Sequence, residues 1–324
     1  MNMLNKIQPT RKNGLQGTQF ATRWEGFKKT KVYKFRQYYL LLLPAFIYVL
    51  IFCYGPMYGL QIAFKDYKMS LGIFGSKWIG FRNFTDFFGS YYFTTLLKNT
   101  FILSFCMLVF SFPIPIIVAL IINELGGRFK RVVQTVLYAP HFISTVVLVG
   151  MITILFSPSM GIVNTFLNYL GFDSIYFMGQ PEWFRPLYIG SGIWQDMGWN
   201  AIVYIAALAG VDPSLHEAAE LDGATRLQRI IHINLPCIMP TIIIMLIMQM
   251  GSIATVSYEK VFLMQNDLNL AVSEVISTYV YKRGLVNNNY SFATAVGLFN
   301  NLINVSMLFI ANTVSKKFSE TSLF

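Results

Sequence analysis

The stretch EAAELDGATRLQRIIHINLP, residues 217–236, holds three acidic and two basic side chains and one glycine, between apolar runs on both sides. Asp212-Pro213 just ahead of it reads as an N-cap followed by the first helical position. Leu215, Ala218 and Ala219 then share a helix face. Asp222-Gly223 ends that helix, because glycine enters backbone conformations that other residues avoid. Leu227, Ile230 and Ile231, at i, i+3 and i+4, start a second helix. Asn234-Leu235-Pro236 is expected to end it, with Pro236 opening the next element. The reading is two short helices with a sharp bend, alanines near the tip and the Glu217 carboxylate on offer, a shape that fits a groove on a partner protein.

The surrounding chain explains why such a loop stands out. Of its 324 residues 55% are hydrophobic and only 12% charged, with 29 Phe and 18 Tyr, and its mean hydropathy is +0.51. Soluble domains carry about twice that charge. Six runs are long enough to cross a bilayer, 38–63, 99–122, 132–156, 187–209, 237–258 and 292–314, all free of Asp, Glu, Lys and Arg except for Asp196 in the fourth. The expected fold class is therefore an all-α polytopic membrane protein with six transmembrane helices. Its first run is too long for a signal-peptide core and is read as a retained span. Six spans put both termini on one side, which holds sixteen Lys and Arg against nine on the other. The basic side faces the cytoplasm, so both termini and the 212–236 loop are expected there.

Residues 1–37 read as a basic cytoplasmic tail and 38–318 as the membrane domain. Within the tail, Phe20, Trp24 and Phe27 fall at i, i+4 and i+7 among Lys and Arg, which fits an interfacial helix against anionic headgroups, or a basic tail with no fixed structure. The net charge of +10 is largely this tail, and no basic soluble domain is present to bind nucleic acid. Cys53, Cys106 and Cys237 lie in or beside apolar runs and read as small buried hydrophobes, without a disulfide framework.

In the 217–236 stretch the chain resembles a known family. Glu217-Ala218-Ala219, Asp222-Gly223-Ala224 and Leu235-Pro236 match, in order and spacing, the signature loop of permease subunits of binding-protein-dependent ABC importers. The likeness extends over about 38–318, through YYLLLLPAFIYVLIFCYGPMYGLQIAFKDY, GGRFKRVVQTVLYAPHFIS and TYVYKRG…NYSFATAVGLF, and looks like the oligosaccharide branch of the maltose-type permease superfamily. Ile230 stands where sugar permeases of the family often have an aromatic residue. The resemblance implies a type I ABC importer permease fold and a loop that docks into a cleft of an ATPase subunit. Glu217 would pair with a basic residue there and Gly223 would hold the turn. It further implies a related second permease, two ATPase subunits that bind ATP and Mg in place of this chain, an extracytoplasmic binding protein and an oligosaccharide cargo, in the cell membrane of a bacterium. A peptide or another polar solute is the alternative cargo.

Energy coupling is testable in the residues. No Gly-Lys dipeptide occurs, so the chain lacks a phosphate-binding P-loop. An ion-coupled carrier is the rival, but such carriers keep ionisable groups inside the membrane, and only Asp196 lies well within a run, with His141 near the end of another. Catalytic and metal motifs (H-E-x-x-H, C-x-x-C, G-x-S-x-G) are absent, which leaves a membrane enzyme as the weakest reading. For the substrate path, Asp196, Asn200 and Tyr204 recur every four residues on one helix face, and Gln249 and Ser252 stand three apart in the fifth run. These five are the candidate path-lining residues, against the alternative that they hydrogen-bond between helices. Trp194 and Trp199 read as packing aromatics, and Asn300, Asn301 and Asn304 as helix–helix contacts. Ile162, Phe166, Tyr169 and Leu170 fit an amphipathic helix on the outer membrane surface.

Overall fold

A computed structural model describes residues 34–318; the 20–33 part of the expected interfacial helix lies outside them. Four helices among the described residues are long and apolar enough to cross a membrane: α1 (Arg36–Phe64), α3 (Phe93–Glu124), α9 (Arg226–Met250) and the helix that starts at Tyr290. A fifth candidate is the pair α4 (Gly127–Phe142) and α5 (Thr145–Leu155), if the two count as one span. Shorter elements are α2 (Arg82–Phe88), α6 (Ile162–Tyr169), α8 (Pro213–Leu221), α10 (Tyr258–Met264), α11 (Leu270–Ser273), α12 (Ile276–Tyr281) and the two-residue antiparallel strands β1 (Lys65–Asp66) and β2 (Lys77–Trp78). The helix α7 (Pro181–Leu208) has 28 residues, and α13 spans Tyr290–Phe318. By chain contacts the molecule divides into residues 1–60 and 61–324. The described part of the first unit is helical, with its side chains exposed.

Prolines set the path of the long helices. Three π-helical turns, Leu50–Tyr54, Met107–Ser111 and Ile230–Asn234, each end two residues before a proline: Pro56, Pro113 and Pro236. A proline has no N–H to give to the carbonyl four residues back, and its ring crowds that carbonyl. In the first and third turns the bonding has already slipped to i→i−5 before the proline, through Gly55 N–H to Leu50 O and Leu235 N–H to Ile230 O. The helix therefore continues past the proline without stopping. This corrects the expectation that Asn234-Leu235-Pro236 ends a short helix: residues 226–250 form one helical path. That path stops at Met250 instead of running on to residue 258.

The 132–156 run also departs from expectation, because α4 and α5 meet at 98°. Pro140 sits in a 3₁₀ turn, Ile143 is extended, and Ser144 caps α5 by accepting the Val147 N–H at 3.4 Å. A new N-cap directly after an extended residue starts a new helix in a new direction. Gln195 of α7 holds the corner by donating to Ile143 O at 2.8 Å.

The centre of the second unit is α7. Phe184, Leu187 and Tyr188 pack with Leu103, Leu148, Ile152, Val261 and Met264 toward one end. Ala201, Tyr204 and Leu208 pack with Ile116, Ala119 and Ile238 toward the other. A Cβ at Gly198 would stand 2.2 Å from Leu137 O, so glycine is what lets α7 lie against α4 there. α7 starts six residues before the 187–209 run and takes in Glu182 and Arg185. Arg185 donates to Asn99 Oδ1 at 3.1 Å, which leaves its charge a partner. α6 is a helix with the apolar face its spacing predicts: Ile162, Phe166, Tyr169 and the following Leu170 are exposed, while Asn164 is buried and bonds Phe156, Ser157 and Ile175.

Candidate functional site: the loop and the central cavity

The 212–236 loop is built from backbone capping. Asp212 Oδ1 accepts the Ser214 N–H at 2.9 Å, and Pro213 follows as the first helical residue of α8. That hydrogen bond holds the exposed Asp212 carboxyl below its ordinary range. At the far end Gly223 N–H reaches Glu220 O at 3.1 Å and Ala224 N–H reaches Ala219 O at 2.9 Å. This pair of bonds is a Schellman closure, which needs a left-handed residue, and Gly223 supplies it with φ at 78°. Thr225 then caps α9 in a box with Gln228, accepting at 3.4 Å from its N–H and donating its own N–H at 2.8 Å. Arg229 pairs with Glu220 across the bend, so the two helices are tied as well as capped.

What the loop offers outward is mixed. Glu217, Ala218 and Asp222 are exposed, and Ala219 and Ala224 half-buried. Glu217 forms no ion pair among the described residues. Leu221 is 91% exposed at the tip, with Leu215 and Leu227 also open. Leu235 and Pro236 lie in α9, beyond the π turn. The Thr225 cap escaped the sequence reading, although its T-x-x-Q spacing was there to be seen.

The second region is a cavity of about 470 Å³ inside the second unit. The α4–α5 corner forms one wall with Ile143, Ser144 and Thr145; α7 gives Tyr188, Gly192, Gln195 and Asp196; α3 gives Ser104 and Met107. The end of α9, the turn after it and α10 complete it through Gln249, Ser252 and Lys260. An adjoining cavity of about 200 Å³ shares Met107, Gly192, Asp196 and Gln249, and adds Asn200 and Tyr204. All five path candidates thus line these two spaces: Asp196 and Gln249 both, Ser252 the first, Asn200 and Tyr204 the second. Ser252 does so from the turn beyond α9, since the helix stops before it.

Several neighbours went unseen in the sequence. His141 Nδ1 lies 2.9 Å from Asp196 Oδ1, and its ring stacks on Trp199 at 4.3 Å and 7°. Lys260, counted in the sequence with an outer loop, is buried at 6% exposure. It donates to Tyr188 O at 3.0 Å and stands over that ring at 4.7 Å. Burial pushes its ammonium down to about 8, while the charge of Asp196 works the other way. Trp194 faces elsewhere, into an apolar cavity of about 270 Å³ with Leu148, Phe156 and Leu187. Asn304 ties α13 to the turn after α9, where a helix–helix contact was expected: its Oδ1 accepts the Ala254 N–H and its Nδ2 donates to Thr255 Oγ1, at 2.8 Å each. No group of three or more potential metal ligands occurs among the described residues.

The family described as binding-protein-dependent transport system inner membrane component matches residues 101–320. Protein LplB of Bacillus subtilis (strain 168) is 44% identical over 287 residues, covering 88% of this chain and 90% of that protein. The polygalacturonan/rhamnogalacturonan transport system permease protein YteP of the same organism is 42% identical over 287 residues, covering 88% and 89%. Among solved structures, a chain of a bacterial alginate ABC transporter, crystallised with alginate pentasaccharide-bound periplasmic protein, superposes with a TM-score of 0.82 at 42% identity. The match covers 90% of this chain and 98% of that one.

Proposed function

This chain belongs to the family of binding-protein-dependent transport system inner membrane components, and from that premise we propose that it forms half of the path by which an oligosaccharide enters the cell. It is a permease subunit of an ABC importer in the cell membrane, and ATP hydrolysis falls to a separate subunit. The relatives' names carry the cargo class: one is named for polygalacturonan/rhamnogalacturonan, and the superposed chain comes from an alginate importer. The observation that carries the path is the convergence of Asp196, Asn200, Tyr204, Gln249 and Ser252 on two adjoining cavities.

The finer assignments follow from the same reading. α7 completes the six crossings, as the fourth in chain order: 28 residues at about 1.5 Å each exceed the hydrocarbon thickness. Both ends of the membrane domain and the 212–236 loop face the cytoplasm, on the balance of Lys and Arg. The loop docks on one of two ATPase subunits, which bind ATP and Mg; Glu217 meets a basic residue there, and the face with Leu221 fills an apolar cleft. A related second permease completes the path, and the binding protein docks on the opposite side. ATP binding draws the ATPases together, the loops move with them as levers, and the bundle exchanges inward for outward access. Such a cycle is driven only if docking at either face differs in free energy between the two states.

The experiment is uptake of labelled oligosaccharide by cells carrying the whole importer. Asn200→Leu and Gln249→Leu each reduce uptake while the protein still inserts and still binds its ATPase. Unchanged uptake in both variants overturns the assigned path.

A further inference from the structure

We propose that Lys260 is the anion-recognising group of the central cavity, and that the cargo is an acidic oligosaccharide whose carboxylates meet its ammonium. The inference rests on the carbohydrate reading above and deepens it. The ammonium lines the cavity with 6% of the residue exposed. Of its three N–H donors, one goes to Tyr188 O, and the Tyr188 ring covers one side. Among the described residues it forms no ion pair. A buried cation held by one carbonyl and one ring, with no carboxylate in contact, is only partly compensated. It becomes favourable when a carboxylate enters the cavity, since charged hydrogen bonds are the strong ones.

The surroundings fit that use. Gly192 gives the ammonium its room: a Cβ there would stand 3.3 Å from Nζ. The carboxylate that shares the cavity, Asp196, is engaged by His141 at 2.9 Å. Ser104 Oγ lines the same wall, buried and without a partner, and Gln195, Gln249 and Ser252 add neutral groups for sugar hydroxyls. The volume lies within the range of small-ligand sites. With Asp196 turned to His141, the ammonium is the group in this lining left to meet an anionic sugar, and the neutral side chains around it meet hydroxyls.

The test uses the complete importer, with its second permease, ATPases and binding protein, in proteoliposomes. The probes are oligogalacturonates of three to five sugars, the same oligomers fully methyl-esterified, and a neutral oligosaccharide of equal length. The wild type is expected to take up the free acid in preference to the ester. Lys260→Met reduces that preference roughly tenfold or more, the scale of one charge-assisted hydrogen bond, and Lys260→Arg retains most of it. If Lys260→Met fails to assemble with its ATPase, Lys260→Gln and Lys260→Arg carry the comparison. A wild type that takes up acid and ester equally, or a loss in the neutral variants that is the same for both, overturns the proposal and leaves Lys260 a brace for Tyr188. A wild type that imports no oligosaccharide of any charge overturns the carbohydrate reading itself.

Discussion

Gly223 is the residue on which the geometry of the loop turns. Its φ of 78° is left-handed, and a Cβ built there would meet nothing within 4 Å. Substitution therefore causes no clash with neighbours, and the cost is the backbone's own. For an L-residue that cost is roughly 1–2 kcal/mol, less for asparagine, which visits this region more readily, and more for valine. A penalty of that size lowers the population of the bent loop about 5–30-fold relative to unbent alternatives. Affinity for the ATPase then falls by no more than that factor. Proline goes further: it fixes φ near −65° and removes the N–H that closes on Glu220 O. The order expected is Gly, then Asn, Ala, Val and Pro. The assay is a titration of purified permease pair with its ATPase, with membrane insertion checked separately. ATPase affinity for Gly223→Val and Gly223→Pro equal to wild type would refute the reasoning, because the bend would then be irrelevant to docking.

Other expected outcomes follow from single contacts. Gly198→Ala drives a methyl against Leu137 O and costs about 1–3 kcal/mol, read as a lower melting temperature in detergent; Gly150→Ala, with open space at its Cβ, leaves it unchanged. Asn304→Leu strips the Ala254 N–H and Thr255 of their partner and costs roughly 1–3 kcal/mol, seen as faster exchange of the Ala254 amide. Asp212 has its carboxyl pulled down by the Ser214 N–H, so its contribution is present above the unfolded value and is lost as pH falls through the folded one. Acidification below pH 4 accordingly frays the start of α8, and Asp212→Ala removes that pH dependence. Lys260 is charged below about 8 and neutral above it, so preference for acidic cargo fades between pH 7 and 9. A preference flat over that range would show that the charge of Lys260 does not set the selectivity.

The loop was legible in the sequence because its structure is local. Asp212-Pro213 and Asp222-Gly223 act through caps within a few residues, and the caps are where the spacing put them. The helix face of Asp196, Asn200 and Tyr204 was legible for the same reason. What escaped depends on register or on distant partners. A run without charges looks alike whether it is straight or bent by 98° at Ser144, although Pro140 and Ser144 are in retrospect the signals. Pro236 reads as a stop, yet the π turn before it absorbs the missing hydrogen bond and α9 continues. Lys260 was counted with an outer loop because charge usually means solvent. Its burial arises from α7, some seventy residues earlier in the chain.

Energy is expected to reach the bundle from another polypeptide, through the bent loop. Proteoliposomes holding the permease pair and binding protein, with and without ATPase subunits and trapped ATP, test it most directly. Accumulation of labelled oligosaccharide is expected only when wild-type ATPase and ATP are both present, and is expected to cease with Gly223→Pro. Accumulation against a gradient by the permease pair alone would contradict the account.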